Sequence, residues 1–564
     1  MAELSNEDLK AVPASERSWT TWNYAALWIG MSICIPTYQL AAGYITNGMN
    51  WKQAIFTVLL GNLVVLVPMI LNGHAGAKYG IPFPVFARAS FGTTGANVPA
   101  ILRAIVACGW FGIQTWIGGA SLAVVVEKTF WPGIAETSFV DEVLGVAEKG
   151  PVHYKGKVDP KVVKHVVVNE QRVALSADGG FEATAVRDPK SHTILVGTVD
   201  HDGKIAKPDK VRVPAGALDV RLGDFICFMA FWLVNMVIVW AGIESIRKLL
   251  VIKSVFLPSA TAALLFWAYS AAGGFGPMLT QGSRFANTSE FLDVFIPSVT
   301  GAVGFWATLS LNIPDFTRYA KGQKEQVLGQ ALGLPTSMTA VAFVGVAVTS
   351  ATMVLPAFHG QAQWDPKEIV KTFESPILVG IAMFCVVLST LATNIAANIV
   401  SPANDFSNLS PKKISFRTGG YITGLVGIFM FPWKLLEDPT GYIFTWLLGY
   451  SALLGPIGGI LIADYFVIRR KALDVDDLYS PVGRYRYNGG WNPAALIALV
   501  VGILPNVPGF LMQIAPNLAK GLPAFFATVF GFAWFVGFGL SAVVYIVLMK
   551  MRGADAMRDG KAAI

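Results

Sequence analysis

The chain has 564 residues, of which 54% are hydrophobic and only 14% charged, against about 25% charged in an ordinary soluble domain. Its formal net charge is +7, which basic residues at lipid head groups explain without a nucleic-acid partner. These figures exclude a soluble globular domain and point to a multi-pass integral membrane protein, with the lipid bilayer as its solvent.

Residues 1–19, MAELSNEDLKAVPASERSW, form a polar N-terminal tail with no apolar core before a cleavage site, so no cleaved signal peptide is expected. Apolar runs long enough to cross a hydrocarbon core of about 30 Å follow at 20–45, 52–72, 98–129, 223–243, 251–273, 294–313, 328–356, 375–400, 417–434, 440–467, 492–514 and 523–550. About twelve transmembrane helices are predicted: the first three over 20–134, a polar segment over 135–221, the remainder over 222–550, and a C-terminal tail over 551–564.

The first span, AALWIGMSICIPTYQLAAGY, carries Gly30 and Pro36 at mid-depth. Proline removes a helix hydrogen bond and glycine lowers helix propensity, so an interruption is predicted. The third span contains GWFGIQTWIGG, in which Trp110, Gln114 and Gly118 recur every four residues and share a helical face. An aromatic plane beside an amide that donates and accepts suits a flat heterocycle. Interhelical bonding by Gln114, with Trp110 as filler, is an equal alternative at this point.

From 135 to 221 the runs KHVVVNEQRVAL, GGFEATAVRD and SHTILVGTVD alternate β-formers with turn residues, which predicts a small β-rich insert, extracytoplasmic because it follows the third span. The sixth span, VTGAVGFWATLSLNIPDFTRY, is again interrupted by glycine and proline. One kinked helix is ordinary. Two interrupted helices five spans apart point to an inverted-repeat transporter with its site at the midplane. In the eighth span Ser389, Thr390, Thr393, Asn394 and Asn398 cluster in the second half. Ser389 and Thr393 share a face on which hydroxyl oxygens suit a small cation, although both residue types also bond their own helix backbone. Asn398 lies about two and a half turns beyond Ser389 and needs a bend to align with it.

Lysine and arginine concentrate in alternate loops, at Lys78, Arg88 and Arg103, then Arg247, Lys248 and Lys253, Arg318 and Lys321, Lys412 and Lys413, and Arg469 to Lys471. This bias places both termini in the cytoplasm. Glu244, Asp315, Asp405 and Asp464 fall near those ends beside Arg247, Arg318, Lys412 and Arg469, and read as interfacial or structural charges rather than gates. The four cysteines are scattered among spans and the six histidines among loops, the insert and span ends, so neither a metal site nor a catalytic pair is predicted. The chain is not expected to be an enzyme or to carry a cofactor.

GWFGIQTWIGG, the loop NGHAGAKYGIPFPVFARASFG, NIPDFTRY and STLATNIAANIVSPAND together resemble the nucleobase:cation symporter-1 family, from about Trp19 to the last spans. That family includes bacterial permeases for cytosine, uracil, allantoin and hydantoins. The resemblance implies an all-α fold of five plus five inverted-repeat helices, broken in helices 1 and 6, with two extra helices. It implies that Trp110 stacks on the heterocycle, Gln114 and Asn398 bond its polar edge, and Trp306 closes the ring site. It implies a cation held by carbonyls of Gly30 and Ile33 with Ser389, Ala392 and Thr393 on the eighth helix.

Two positions depart from the family pattern. Ala392 stands where the sodium-coupled pattern has serine, which leaves sodium and proton both open as the coupling ion. Cys34 stands where the hydantoin carriers have a substrate-side glutamine, which bears on specificity. The resulting expectation is a secondary active transporter that imports a planar N-heterocycle, a nucleobase, allantoin or hydantoin-like compound, by cation symport and alternating access. A passive channel lacks its repeated ring of carbonyls or charges, and a membrane enzyme lacks its nucleophile, metal or acid–base pair.

Overall fold

The computed structural model describes residues 4–131, 151–158, 163–176, 179–188, 193–203, 208–213, 219–241, 243–276, 279–280, 282–358, 363–436 and 442–558. They fall into two compact units, Gly119–Phe231 and the remainder. Among the described residues, eight helices are each long and apolar enough to cross a membrane, and one bent pair adds a ninth if taken as one span.

That bent pair is α1 (Thr21–Ser32) and α2 (Ile35–Thr46), which meet at 61°. Pro36 sits in the first turn of α2, where a missing N–H is tolerated, so it starts the second half rather than kinking a continuous helix. The chain continues through α3 (Trp51–Tyr79), the short α4 (Phe83–Phe91) and α5 (Asn97–Thr129). After the insert come α6 (Leu222–Ala241) and α7 (Ile243–Ala272). The sixth span is broken into α8 (Thr288–Phe305), α9 (Ala307–Asn312) and α10 (Pro314–Thr317), and is followed by α11 (Gln323–Thr352) and α12 (Pro366–Lys371).

The eighth span is α13 (Pro376–Asn398) and α14 (Val400–Leu409), interrupted at Ile399, immediately after the asparagine that needed a bend. Next come α15 (Phe416–Phe429), α16 (Pro432–Leu435) and a helix from Leu448 to Ile462 flanked by π-helical turns. The last long helix runs from Ala533 to Arg558. On α3 the large apolar residues Phe56, Leu63 and Val67, and on α13 Ile377, Ile381 and Phe384, are exposed at helical spacing. These stripes are left uncovered by the protein, while the opposite faces pack inward.

Tight packing binds α3 to the broken sixth span. Asn72 Nδ2 donates to the Ser310 carbonyl at 2.7 Å, and Thr317 Oγ1 to the Gly73 carbonyl at 2.9 Å. At Gly76 a β-carbon would press into the Pro314 backbone, so only glycine permits this approach.

The N-terminal segment is built into the fold. Gly80, left-handed at φ 74°, ends α3 and turns its carbonyl to the Val12 N–H at 2.9 Å. Arg318 Nη1 donates to the Asp8 carbonyl at 2.8 Å, Tyr479 Oη to the Leu9 carbonyl at 2.7 Å, and the Phe416 N–H to Asp8 Oδ2 at 3.0 Å. Asn6 Nδ2 reaches the Pro411 carbonyl, and Trp19 pairs with the backbone on either side of Ala320. Leu9 is fully buried. The segment is thus a strap joining the ends of α3 and α10 to the turn before α15.

Fully burying a leucine contributes about 2 kcal/mol, or roughly 30-fold in the docked-to-free ratio. Leu9→Asp is accordingly expected to speed tryptic cleavage after Arg17 by at least tenfold in limited proteolysis of the purified protein.

The other unit has six strands among its described residues. β1 (Pro151–Lys157) pairs antiparallel with β4 (Gly180–Val186), and a second sheet has the order β3-β2-β5-β6, with β2 at Val163–Val168, β3 at Gln171–Val173, β5 at Thr193–Asp200 and β6 at Asp209–Arg212. The three runs read as β-formers each contain one or two of these strands. Asn169 and Glu170 both take positive φ in the two-residue β2–β3 turn, the primed geometry that matches strand twist. Val166, Val168, Phe181 and Ile194 form the core. Arg187 and Asp219 make a buried ion pair at 3.0 Å.

Candidate functional site

The break in the first span sets out the first half of the site. Cys34 N–H, which in an unbroken helix would bond the Gly30 carbonyl, instead donates to Ser32 at 3.0 Å. Cys34 itself is extended, at φ −150° and ψ 160°. The Gly30 and Ile33 carbonyls thereby leave the regular ladder, and Ser389 Oγ, on α13, donates to the Ile33 carbonyl at 2.7 Å. Two of the cation-site candidates are therefore in contact. Thr393 is buried one turn further along α13, and Ala392 is buried with no hydroxyl to offer. Broken-helix carbonyls are the sort of donors that hold Na⁺ or H⁺ in such folds. Among the described residues no group of three or more His, Cys, Asp or Glu side chains forms a metal site.

The break in the sixth span supplies the second half. Trp306 occupies the junction of α8 and α9, at φ −108° and ψ 10°. Its ring meets Trp28 edge-on at 5.2 Å between centroids and Phe305 at 5.0 Å, and Phe305 in turn meets Trp110 at 5.2 Å. Trp110 Nε1 donates to Tyr450 Oη at 3.3 Å, and Tyr450 Oη donates to the Gly304 carbonyl at 2.8 Å. The two interrupted spans and α5 are thus tied through aromatic rings and one tyrosine.

Cys34, Trp110, Gln114, Trp306, Thr393 and Asn398 all line one cavity. Gln114 is buried and its Oε1 has no hydrogen-bond partner among the described residues. Behind the cavity, Asn398 Nδ2 donates to Asn394 Oδ1 at 3.0 Å, and Asn394 Nδ2 to Thr115 Oγ1 at 3.0 Å. The polar cluster of the eighth span thus divides in two: Asn394 braces the helix against α5, leaving Asn398 at the cavity wall. About 20 Å³ is open, room for one water and too little for a heterocycle unless the rings part. A larger cavity of about 570 Å³ lies on the other side of Cys34 and Ile33, between α7 and α13. Its walls are almost wholly apolar, whereas the smaller space gathers the polar side chains Gln114, Thr393 and Asn398.

Phe305 lines this cavity and Tyr450 accepts the Trp110 Nε1–H, and neither was singled out from the sequence. Phe305 precedes a tryptophan and reads as packing. Tyr450 lies in the tenth span, where a lone buried hydroxyl was the available signal.

Of the acidic residues near the span ends, Asp315, Asp405 and Asp464 are buried in the protein, which fits the structural half of the expectation. Asp405 is fully buried and pairs with Arg103 at 2.7 Å, not with Lys412. Arg88, counted as a loop charge, is also fully buried, its Nη1 on the Leu478 carbonyl and Nη2 on Asn408 Oδ1. Asp464 does pair with Arg469, at 2.7 Å, and receives Tyr545 Oη as well. Asp315 is buried and accepts the Phe83 N–H at 2.9 Å. The side chains of Glu244 and Arg247 lie outside the described residues.

Comparison with known proteins gives consistent matches over nearly the whole chain. The permease family for cytosine/purines, uracil, thiamine and allantoin matches residues 11–198 and 203–537. A purine-uracil permease, NCS1, of Arabidopsis thaliana is 38% identical over 98% of this chain and 78% of its own. An allantoin permease of Bacillus subtilis (strain 168) is 35% identical over 97% of this chain and 94% of its own. Mhp1, a nucleobase-cation-symport-1 family transporter solved in a closed conformation with bromovinylhydantoin bound, has the same fold, with TM-score 0.68, 21% identity and coverage of 98% of this chain and 96% of its own. The chain is therefore a multi-pass membrane permease belonging to the nucleobase-cation-symport-1 family.

Proposed function

We propose that the protein imports a planar N-heterocycle, a nucleobase such as uracil or the ureide allantoin, by cation symport and alternating access. The observation that carries this reading is the convergence of Trp110, Gln114, Trp306 and Asn398 on one cavity between two broken helices. Trp110 and Trp306 offer faces for stacking, and Gln114 and Asn398 read ring N–H and C=O groups. The named activities of the plant and Bacillus relatives favour uracil, purines or allantoin over hydantoins, as does Cys34, a weak donor where hydantoin carriers have an amide.

Stacking contributes roughly 1–3 kcal/mol per ring and each net hydrogen bond about 0.5–1.5 kcal/mol. Micromolar affinity needs about 8 kcal/mol, so binding and closure over the ring are linked. The Gly30, Ile33 and Ser389 carbonyls with the Thr393 hydroxyl would hold the cation, the Ser389 hydroxyl standing in for the one lost at Ala392. A cation bridging the first and eighth helices favours the arrangement that completes the ring site, because a ligand shifts an equilibrium only by its differential affinity. In this reading the twelve spans form a five-plus-five inverted repeat with two extra helices, both termini are cytoplasmic, and the 135–221 insert faces the outside.

Uptake of labelled uracil, cytosine, allantoin, hydantoin and thiamine into cells, with and without sodium and with a protonophore, tests the reading. The expected result is accumulation of uracil or allantoin above the external concentration, abolished either by sodium removal or by the protonophore. Uptake that only equilibrates would replace the symporter with a facilitator, and appearance of an altered product would replace it with an enzyme.

A further inference from the structure

The sixth span brings one further polar group to the ring cavity. Thr308, on α9 two residues past the break at Trp306, lines the cavity and is 3% exposed. A hydroxyl inside a helix ordinarily bonds a carbonyl three or four residues back, and Thr57, Thr115, Ser310, Thr423 and Ser451 all do so at 2.5–2.9 Å. Among the described residues the Thr308 hydroxyl makes no such bond, and the break explains it. The carbonyl four residues back is that of Gly304, which lies on the other side of Trp306 and accepts Tyr450 Oη at 2.8 Å instead. Thr308 therefore keeps a free donor and acceptor beside the cavity.

Gln114 and Asn398 belong to a separate wall. Asn394 bonds both Asn398 and Thr115, which ties α13 to the helix that carries Gln114. Asn398 Nδ2 is committed to Asn394, so Asn398 presents its Oδ1, and Gln114 Oε1 is unpartnered. This wall offers acceptors with the Gln114 amide donor beside them, which complements the N–H flanked by two carbonyls of a cyclic imide. Uracil, xanthine, hydantoin and allantoin all carry that edge. They differ on the edge away from it: xanthine has its fused imidazole there and allantoin its ureido chain, at positions where uracil and hydantoin carry only C–H.

We infer that Thr308 is a specificity-determining residue that reads the ring edge turned away from Gln114 and Asn398. The carrier then takes cyclic imides whose second edge bears an N–H or C=O group, such as allantoin or an oxopurine, in preference to those whose second edge is bare. A bare edge leaves the hydroxyl unpaired when the cavity closes over the ring, which costs more than the bond itself contributes. Sites built around a polar partner reject analogues that lack it. The tryptophans hold either kind of ring, so the discrimination falls on one hydroxyl.

The inference rests on the proposed ring site, and the experiment separates the two. Equilibrium binding of two pairs of compounds, allantoin with hydantoin and xanthine with uracil, is measured on the purified full-length protein. Each pair shares its imide edge and differs at the second edge. In each pair that it binds, the wild type is expected to hold the first member at least threefold more tightly than the second. Thr308→Val, which keeps the branched shape and loses the hydroxyl, is expected to weaken the first member about three- to tenfold, the size of one net hydrogen bond, and to leave the second within twofold of wild type. Thr308→Ser is expected to keep the wild-type preference. A wild type that binds the second member at least as tightly as the first overturns the inference even if the valine variant fails to fold. So does a folded valine variant that retains the preference or weakens both members alike. Absence of binding of all four compounds to the wild type would instead overturn the substrate assignment.

Discussion

Trp110→Ala is expected to weaken heterocycle binding by about 10- to 100-fold, the equivalent of a lost stacking contribution of roughly 1–3 kcal/mol. The effect is large because the indole is pre-positioned. Its Nε1 is held by Tyr450, whose own hydroxyl is fixed on Gly304 beside the second helix break. Its ring touches Phe305, which touches Trp306, so truncation removes one wall and loosens the next. Trp110→Phe keeps a π face while losing the Tyr450 bond, and should fall between wild type and alanine. Equilibrium binding of labelled uracil or allantoin to purified protein is the measurement, with size-exclusion profiles to establish that each variant is folded. Unchanged affinity in a folded alanine variant would mean that the ring only fills space.

The second large effect concerns stability. Arg103→Met leaves Asp405 as an uncompensated buried charge, a change that costs about 3–5 kcal/mol. Both partners are fully buried at 2.7 Å, so water cannot rescue the survivor. The double variant Arg103→Met, Asp405→Leu removes both charges, and replacing a buried pair with apolar groups is often neutral or stabilising by about 1–4 kcal/mol. The single variant should therefore melt well below wild type in a fluorescence-detected thermal assay, and the double variant should recover at least half of the loss. Equal melting of single and double variants would show that the interaction is not the source of the defect.

These two residues also mark what could be read from the chain alone. Trp110 and Gln114 were legible because four-residue spacing is enough to put them on one face, and an amide in an apolar span has few uses. The first break was legible from Gly30 and Pro36, although its position depends on proline being welcome in a first helical turn. The sixth break falls at Trp306, a residue with no intrinsic helix-breaking character, and only the packing of α8 and α9 defines it. Arg103 was read as a loop charge because its partner lies 302 residues away, whereas the charge that sequence offers Asp405 is the nearby Lys412. Local pattern finds spans, and neutral polar faces within them. It does not find the long-range partner that makes a buried charge tolerable, nor the aromatic neighbour contributed by another span.

The strap has a consequence for biogenesis. Leu9 leaves the ribosome 470 residues before Tyr479, whose hydroxyl donates to its carbonyl. At roughly 5–20 residues per second, the segment waits about 25 to 95 s for that partner. The Tyr479 bond therefore closes last, after those to Gly80, Arg318 and Phe416, so a chain arrested before it holds the strap by fewer bonds than a complete carrier does.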